Sequence, residues 1–334
     1  MNRLRSVSAP LTAGLLAAFA LAALVAGCGG DGDGGGDEDG ALSVVSERVL
    51  DPRLREYSFV SSSVPGEPKA RVVLPPGYED SDRRYPVLYL LHGAAAAANF
   101  WTVAGIERLV GDRELIVVMP DGDTSFYSNW FSGGRDGAPQ WESFHVDELV
   151  PWVDGEFRTV PSKEGRAIAG NSMGGLGALL YAARHPDLFA LAASFSGPVQ
   201  VEPAPLREVL IEAGRNPRLL TRIWGPYPEQ AERWRRHNPV EIAEDLEGTE
   251  IVLVSGDGRL PGRGGVLNPV EATIAEMNET LHRRLDELGI EHTYRLGPGI
   301  HDVPYWQRAL RRTLPRIDSV LGLAPAGVGA GAAG

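Results

Sequence analysis

The chain has 334 residues, 43% of them hydrophobic and 23% charged, with a formal net charge of −12. An acidic balance without a basic cluster excludes partners built on a phosphate backbone, so nucleic-acid binding drops out. The single cysteine, Cys28, leaves no intramolecular disulfide to consider.

From the amino terminus, Arg3 and Arg5 precede an apolar run, Leu11 to Ala26, that ends in Leu24-Val25-Ala26-Gly27-Cys28. This pattern predicts a lipoprotein signal peptide over 1–27. Cys28 then becomes the lipidated first residue of an exported protein on the outer face of a bacterial cytoplasmic membrane. The run is short for a bilayer span and contains Thr12 and Gly14. Residues 28–41, dominated by Gly, Asp and Glu, read as a flexible acidic tether. Residues 42–322 suit one large α/β domain, and 323–334, mostly Ala and Gly, read as a disordered tail.

Within the domain, short apolar runs alternate with amphipathic stretches. Tyr57 to Val64 and Lys69 to Leu74 are close enough to pair as a hairpin at one edge of a sheet. Pro86 to Leu91, Leu115 to Met119, Arg166 to Ala169, Leu191 to Phe195, Ile251 to Val254 and Tyr294 to Leu296 follow as strands. Most are continuously apolar, as parallel strands buried on both faces must be. Glu142 to Phe157 and Val270 to Leu288 read as helices. In the second, Val270, Ile274, Met277, Leu281, Leu285 and Leu288 recur at helical spacing. This order predicts an α/β fold, a doubly wound and mostly parallel sheet with helices on both faces. An insertion at about 201–238, mixed in Pro, Arg and Trp, is a candidate cap of no evident conformation.

The chemistry centres on Gly170-Asn171-Ser172-Met173-Gly174, a G-x-S-x-G pentapeptide between an apolar run and the helix-like stretch from Gly175. That is the setting of a nucleophile elbow, in which a strand turns sharply into a helix and exposes a serine hydroxyl. Such a serine needs a base within reach and an acid to orient the base, in the chain order serine, carboxylate, histidine. Among the later histidines, His282 falls inside a helix and His292 starts a strand, so both read as surface or structural. His237, in an Arg-rich segment, reads as a solvated helix end. His301, on the loop after the final strand, is the expected base. Two acids fit: Asp257, directly after a strand, and Glu271, in the first turn of the next helix. Spacing leaves both open. The oxyanion hole is expected from the backbone N–H groups of Met173 and Ala94, the latter in His92-Gly93-Ala94 after an apolar strand. His92 itself reads as structural.

These motifs resemble the esterase D-like α/β-hydrolases, in the branch that contains antigen-85-type mycolyltransferases and related esterases. Met119-Pro120-Asp121-Gly122, Ser125 to Trp130, Trp141 to Leu149, the elbow with His185-Pro186 and Phe189, Ile223-Trp224-Gly225-Pro226, Asn238-Pro239, and His301 with Pro304-Tyr305-Trp306 carry the likeness, from about Arg71 to Leu310. The resemblance implies an α/β-hydrolase fold and selects Glu271 as the acid, because in that branch the glutamate stands seven residues before Asn-x-Thr, here Asn278-Glu279-Thr280. Asp257 is the reserve. One departure bears on activity. The mycolyltransferases carry Asp-Gly and then charged residues at the oxyanion loop, whereas this chain has His92-Gly93 and five alanines, Ala94 to Ala98. Alanine cannot hydrogen-bond a sugar acceptor, which favours ester hydrolysis over acyl transfer. The expected protein is thus a lipid-anchored serine esterase acting on small-molecule or lipid esters. Trp101, Phe126, Trp130 and Trp306 are candidates to bind substrate, and no metal or organic cofactor is implied.

Overall fold

A computed structural model describes residues 42–133, 137–260 and 267–324. Nine strands form one sheet: β1 (Ser43–Val49), β2 (Leu54–Val60), β3 (Lys69–Val73), β4 (Val87–Leu91), β5 (Ile116–Pro120), β6 (Arg166–Asn171), β7 (Leu191–Phe195), β8 (Glu250–Gly256) and β9 (His292–Gly297). Their order is β1-β2-β3-β5-β4-β6-β7-β8-β9. The first three strands and the β3–β5 pair are antiparallel, and every pair from β5 to β9 is parallel. The expected doubly wound sheet is therefore present, with an antiparallel extension at one edge.

Side chains alternate across each strand, and that alternation builds two cores. From β4, Val87, Tyr89 and Leu91 join one cluster while Leu88 and Leu90 join the other. The first side is covered by a helix in three parts and by α5. The three-part helix runs as α3 (Trp141–Ser143), a π-helical turn over Phe144–Leu149 and α4 (Val150–Glu156), and α5 is Met173–Arg184. The second side packs against α1 (Phe100–Val103), α2 (Ile106–Val110) and α10 (Val303–Val320). Helix α9 (Pro269–Leu288) lies on the first side, where its apolar stripe, Ile274, Met277, Leu281 and Leu285, is buried as the spacing predicts.

The structure corrects one expectation and supplies two elements that the sequence left open. The outermost strand, β1, was not foreseen; all seven of its residues are exposed, so it shows no apolar alternation. The second strand starts three residues earlier than expected, at Leu54, and ends at Val60. Ser61, Ser62 and Ser63 leave the sheet because their hydroxyls all donate to the Glu148 carboxylate, at 2.5, 2.8 and 2.7 Å. The insertion folds into three helices, α6 (Pro203–Glu212), α7 (Arg218–Trp224) and α8 (Ala231–Arg235).

The strand order reverses around β4, with β5 on one side and β6 on the other. In such sheets the crevice at the carboxyl ends beside the reversal is where ligands sit. The loops after β4, β6, β8 and β9 all open there, and they carry Ala94, Ser172, Asp257 and His301.

Candidate active site

Ser172 occupies the turn between β6 and α5 with φ 52° and ψ −123°, a conformation that costs energy and persists only where the surroundings enforce it. Here its amide donates to the Phe195 carbonyl at 2.8 Å, and its carbonyl accepts from Gly175 and Leu176. The flanking glycines are steric necessities. A methyl on Gly170 would stand 2.3 Å from the Gly174 carbonyl oxygen, and one on Gly174 would stand 2.6 Å from that of Leu91.

The hydroxyl points at His301. Ser172 Oγ lies 2.9 Å from His301 Nε2, and His301 Nδ1 lies 2.6 Å from Glu271 Oε2. A carboxylate can only accept, so the Nδ1 proton is on the glutamate side and the Nε2 lone pair faces the serine. Glu271 is fully buried, and its other oxygen accepts from Ser196 Oγ at 2.7 Å and from the Gly256 amide at 2.6 Å. Asn268 caps α9 by accepting from the Glu271 amide at 2.9 Å, which fixes the first turn that carries this acid. The Trp306 ring meets the His301 imidazole edge-on, with centroids 4.9 Å apart.

Asp257 does not reach the histidine ring. Its Oδ1 accepts from the Arg259 and Gly299 amides, at 2.9 and 3.3 Å, so it braces the loop that precedes His301.

The Ala94 amide makes no hydrogen bond to the described residues. Met173 opens α5, where the first amides have no helical acceptor. Gly93 brings this loop close: a methyl there would lie 2.8 Å from Asn171 Nδ2 and 3.3 Å from Ser172 Cβ. His92 anchors the loop from beneath. Its Nδ1–H donates to the Gly93 carbonyl at 2.8 Å and its Nε2 accepts from the Gly122 amide at 2.9 Å. Burial pushes its pKa down, and both nitrogens are engaged away from Ser172, so it is structural as expected.

A cleft of about 170 Å³ lies before Ser172. Phe100, Phe126, Pro198, Val209, Leu210, Ala213, Val270 and Trp306 give it apolar walls, and Arg215 and His301 also line it. Helix α6 and the turn after it thus wall the cleft, while α7 and α8 bury Trp224 and Trp234 behind them. Of the four aromatics expected to bind substrate, Phe126 and Trp306 line the cleft and Trp101 and Trp130 do not. The Trp101 ring is buried in the second core, where its N–H donates to the Leu91 carbonyl at 3.0 Å. Trp130 packs in the first core, with the Arg222 guanidinium 5.0 Å from its ring centre.

Two further histidine readings are settled by burial and distance. His237 is not solvated: it is 5% exposed, its Nδ1 donates to the Arg233 carbonyl, and burial pulls its pKa down to about 4. His282 and His292 hydrogen-bond each other at 2.7 Å, at the end of the sheet away from Ser172. Sequence reasoning missed Ser196 and Asn171. A small polar residue ending a buried strand was the only signal for Ser196. Asn171 is fully buried beside the cleft, and neither of its side-chain polar atoms has a hydrogen-bond partner among the described residues, a feature no motif announces.

The profile of the Esterase family matches residues 61–317. The chain belongs to the esterase family. It is 35% identical over 315 residues to esterase Rv1288 of Mycobacterium tuberculosis, an alignment that covers 89% of this chain but 65% of that relative. It is also 32% identical over 254 residues to the diacylglycerol acyltransferase/mycolyltransferase Ag85B of Mycolicibacterium smegmatis, covering 70% and 77% of the two. An S-formylglutathione hydrolase from Agrobacterium tumefaciens superposes with a TM-score of 0.65 at 19% identity, over 84% of this chain and all of the other. That likeness shows the shared α/β-hydrolase fold. The family resemblance read from the motifs thus holds, and the chain has the α/β-hydrolase fold.

Proposed function

We propose that this esterase hydrolyses carboxylic esters of short acyl or single-ring aryl acids through a Ser172–His301–Glu271 triad. The observation that carries the reading is the continuous hydrogen-bonded row from Ser172 Oγ through His301 to Glu271 Oε2. Ser172 Oγ attacks the ester carbonyl carbon as its proton passes to His301 Nε2. The Ala94 and Met173 amides hold the oxyanion of the tetrahedral intermediate. As the C–O bond breaks, His301 gives that proton to the departing alcohol. Water then attacks the acyl-enzyme by the same route, regenerating Ser172 and releasing the acid. Glu271 keeps the imidazole in the right tautomer and stabilises its charged form.

Two features support hydrolysis of small esters. The oxyanion loop turns Ala94 and Ala96 to the cleft, and neither alanine side chain offers a hydrogen bond to a sugar acceptor. The cleft, about 170 Å³, is smaller than the ~300–1,000 Å³ of sites that enclose drug-sized ligands. Acyl transfer to an envelope acceptor is the second reading, and the likeness to Ag85B favours it.

The test is turnover of p-nitrophenyl esters from acetate to palmitate, with Ser172→Ala as the blank. Turnover that disappears in the variant supports the triad reading. Absence of turnover above the blank on every ester would move the weight to a dedicated acyltransferase.

We further propose that Cys28 carries a lipid anchor outside the cell, supported by the motif at 24–28, which lies outside the described residues. Among the described residues no helix is long and apolar enough to cross a membrane. Loss of detergent-phase partitioning in Cys28→Ala is the expected result.

A further inference from the structure

His282 and Asp286 stand one turn apart on the last part of α9, and so on the same helix face. His292, four residues after that helix ends, opens β9 directly opposite. One ligand atom from each of the three residues falls within 4.8 Å of the others. His282 Nδ1 is 2.7 Å from His292 Nε2, and His282 Nε2 is 3.6 Å from Asp286 Oδ2.

The orientation of His292 is fixed. Its Nδ1 lies 2.8 Å from the Ile290 carbonyl, which can only accept, so Nδ1 carries the proton and the Nε2 lone pair faces the cluster. A backbone acceptor behind the second nitrogen is how metal-ligating histidines are held. Tyr294 stacks on the His282 ring at 4.4 Å between centroids and limits its rotation. An open cavity of about 450 Å³ gives access to the cluster. Arg316, the arginine that lines this cavity, is engaged with Glu250 through two contacts of 2.7 Å.

We propose that His282, Asp286 and His292 bind a zinc ion that ties the end of α9 to the start of β9. Two imidazoles and a carboxylate suit a borderline metal in tetrahedral geometry, with water from the cavity as the fourth ligand. Zinc ligands sit ~3.4 Å apart given metal–ligand bonds of ~2.0–2.1 Å, so small side-chain rotations close the site. Binding replaces the His282–His292 hydrogen bond: His282 Nδ1 is the donor to the His292 lone pair, so His282 presents Nε2, the nitrogen on the Asp286 side. The site is remote from Ser172, but its two elements carry the catalytic partners. Glu271 is in the first turn of α9, and β9 leads into the His301 loop. The ion is accordingly a structural clamp.

The experiment is calorimetric titration of the purified full chain with zinc chloride, paired with thermal melts with and without zinc. Wild type, His282→Ala, His292→Ala, Asp286→Asn and His301→Gln are compared. The expected result is one zinc per chain with a Kd of about 1 µM or below. Free zinc a hundredfold above Kd should raise the melting temperature by roughly 5 °C. Each histidine-to-alanine variant should weaken binding by roughly 30-fold or more, and Asp286→Asn by about tenfold. His301→Gln should bind like wild type. If a histidine variant melts far below the metal-free wild type, Asp286→Asn and His292→Gln take its place. The proposal is overturned by no saturable binding up to 100 µM zinc, or by unchanged stoichiometry and affinity when His282 and His292 are both replaced.

Discussion

The Asp257 carboxylate accepts a hydrogen bond from the Gly299 amide, 3.3 Å away, two residues before His301. Two acids thus serve one histidine in different ways. Glu271 touches the imidazole, and Asp257 holds the loop that delivers it. Glu271→Gln should lower kcat by roughly 10³-fold, because an amide presents a poor partner for the imidazolium. Asp257→Asn keeps an oxygen for the two loop amides and should retain kcat within about threefold. Steady-state turnover of p-nitrophenyl acetate checks both, and the reverse ranking would exchange the two roles.

Ser196 is the next residue out. Its hydroxyl donates to the Glu271 oxygen that the histidine does not use, at 2.7 Å, and it is fully buried. Ser196→Ala leaves that oxygen with the Gly256 amide alone. A hydrogen bond to a carboxylate contributes about 1–3 kcal/mol, so urea unfolding should show a loss of that order. Turnover should fall by several-fold with KM unchanged, since Ser196 does not line the cleft.

The cleft sets the chain-length preference. Leu210 and Val209 wall it from α6, and Phe126 faces them from the loop after β5. Acetate to butyrate esters should exceed palmitate in kcat/KM by tenfold or more. Leu210→Ala opens one wall and should move the optimum toward longer chains. An optimum already at palmitate in wild type would contradict the small-ester reading.

Acid should weaken the fold. Burial pulls His145 and His237 down from 6.5 to about 4, so each stays neutral in the folded protein. Below pH ~6.5 the unfolded chain takes up protons that the folded chain refuses. The stabilising contribution is whole above that pH and fades as pH falls toward 4. It amounts to about 3 kcal/mol for each histidine. Glu142 acts in the same direction: burial alone would raise its pKa, but His185 and Arg184 outweigh burial and hold it below the usual carboxylate value. Urea midpoints should drop steeply between pH 6.5 and 4, and His237→Gln should flatten the drop. A level wild-type profile would contradict the assignment.

The turn at Ser172 and the position of His301 were legible in the sequence because backbone strain and strand order constrain them. A turn with φ 52° at Ser172 needs Gly170 and Gly174, and His301 lies on the loop after the last strand. Spacing left Glu271 and Asp257 open, and the family likeness was needed to choose. Ring directions were not legible. Trp101 and Phe126 both follow strands and both read as possible cleft walls, yet the helix carrying Trp101 turns it into the core. Phe126 reaches the cleft on a loop where two consecutive non-glycine residues, Phe126 and Tyr127, have φ 53°. His237 was misread because its arginine neighbours suggest water, while its own ring packs 6.1 Å from that of Trp224. The edge strand β1 carried no signal because it has no buried face.

The π-helical turn over Phe144–Leu149 fits more residues into the helix from Trp141 to Glu156 than regular winding would. It lets His145 reach both Tyr181 and the Asp121 carbonyl, at 2.8 and 2.7 Å, while Glu148 still meets the three serines after β2. The helix works as a vernier between two independently fixed scales. Removing a single residue within the turn would restore regular winding, at about 100° per residue. One of the two halves would then rotate off its partners. This segment should therefore tolerate exchanges at Val146 and Asp147, which are not buried, and almost no change of length.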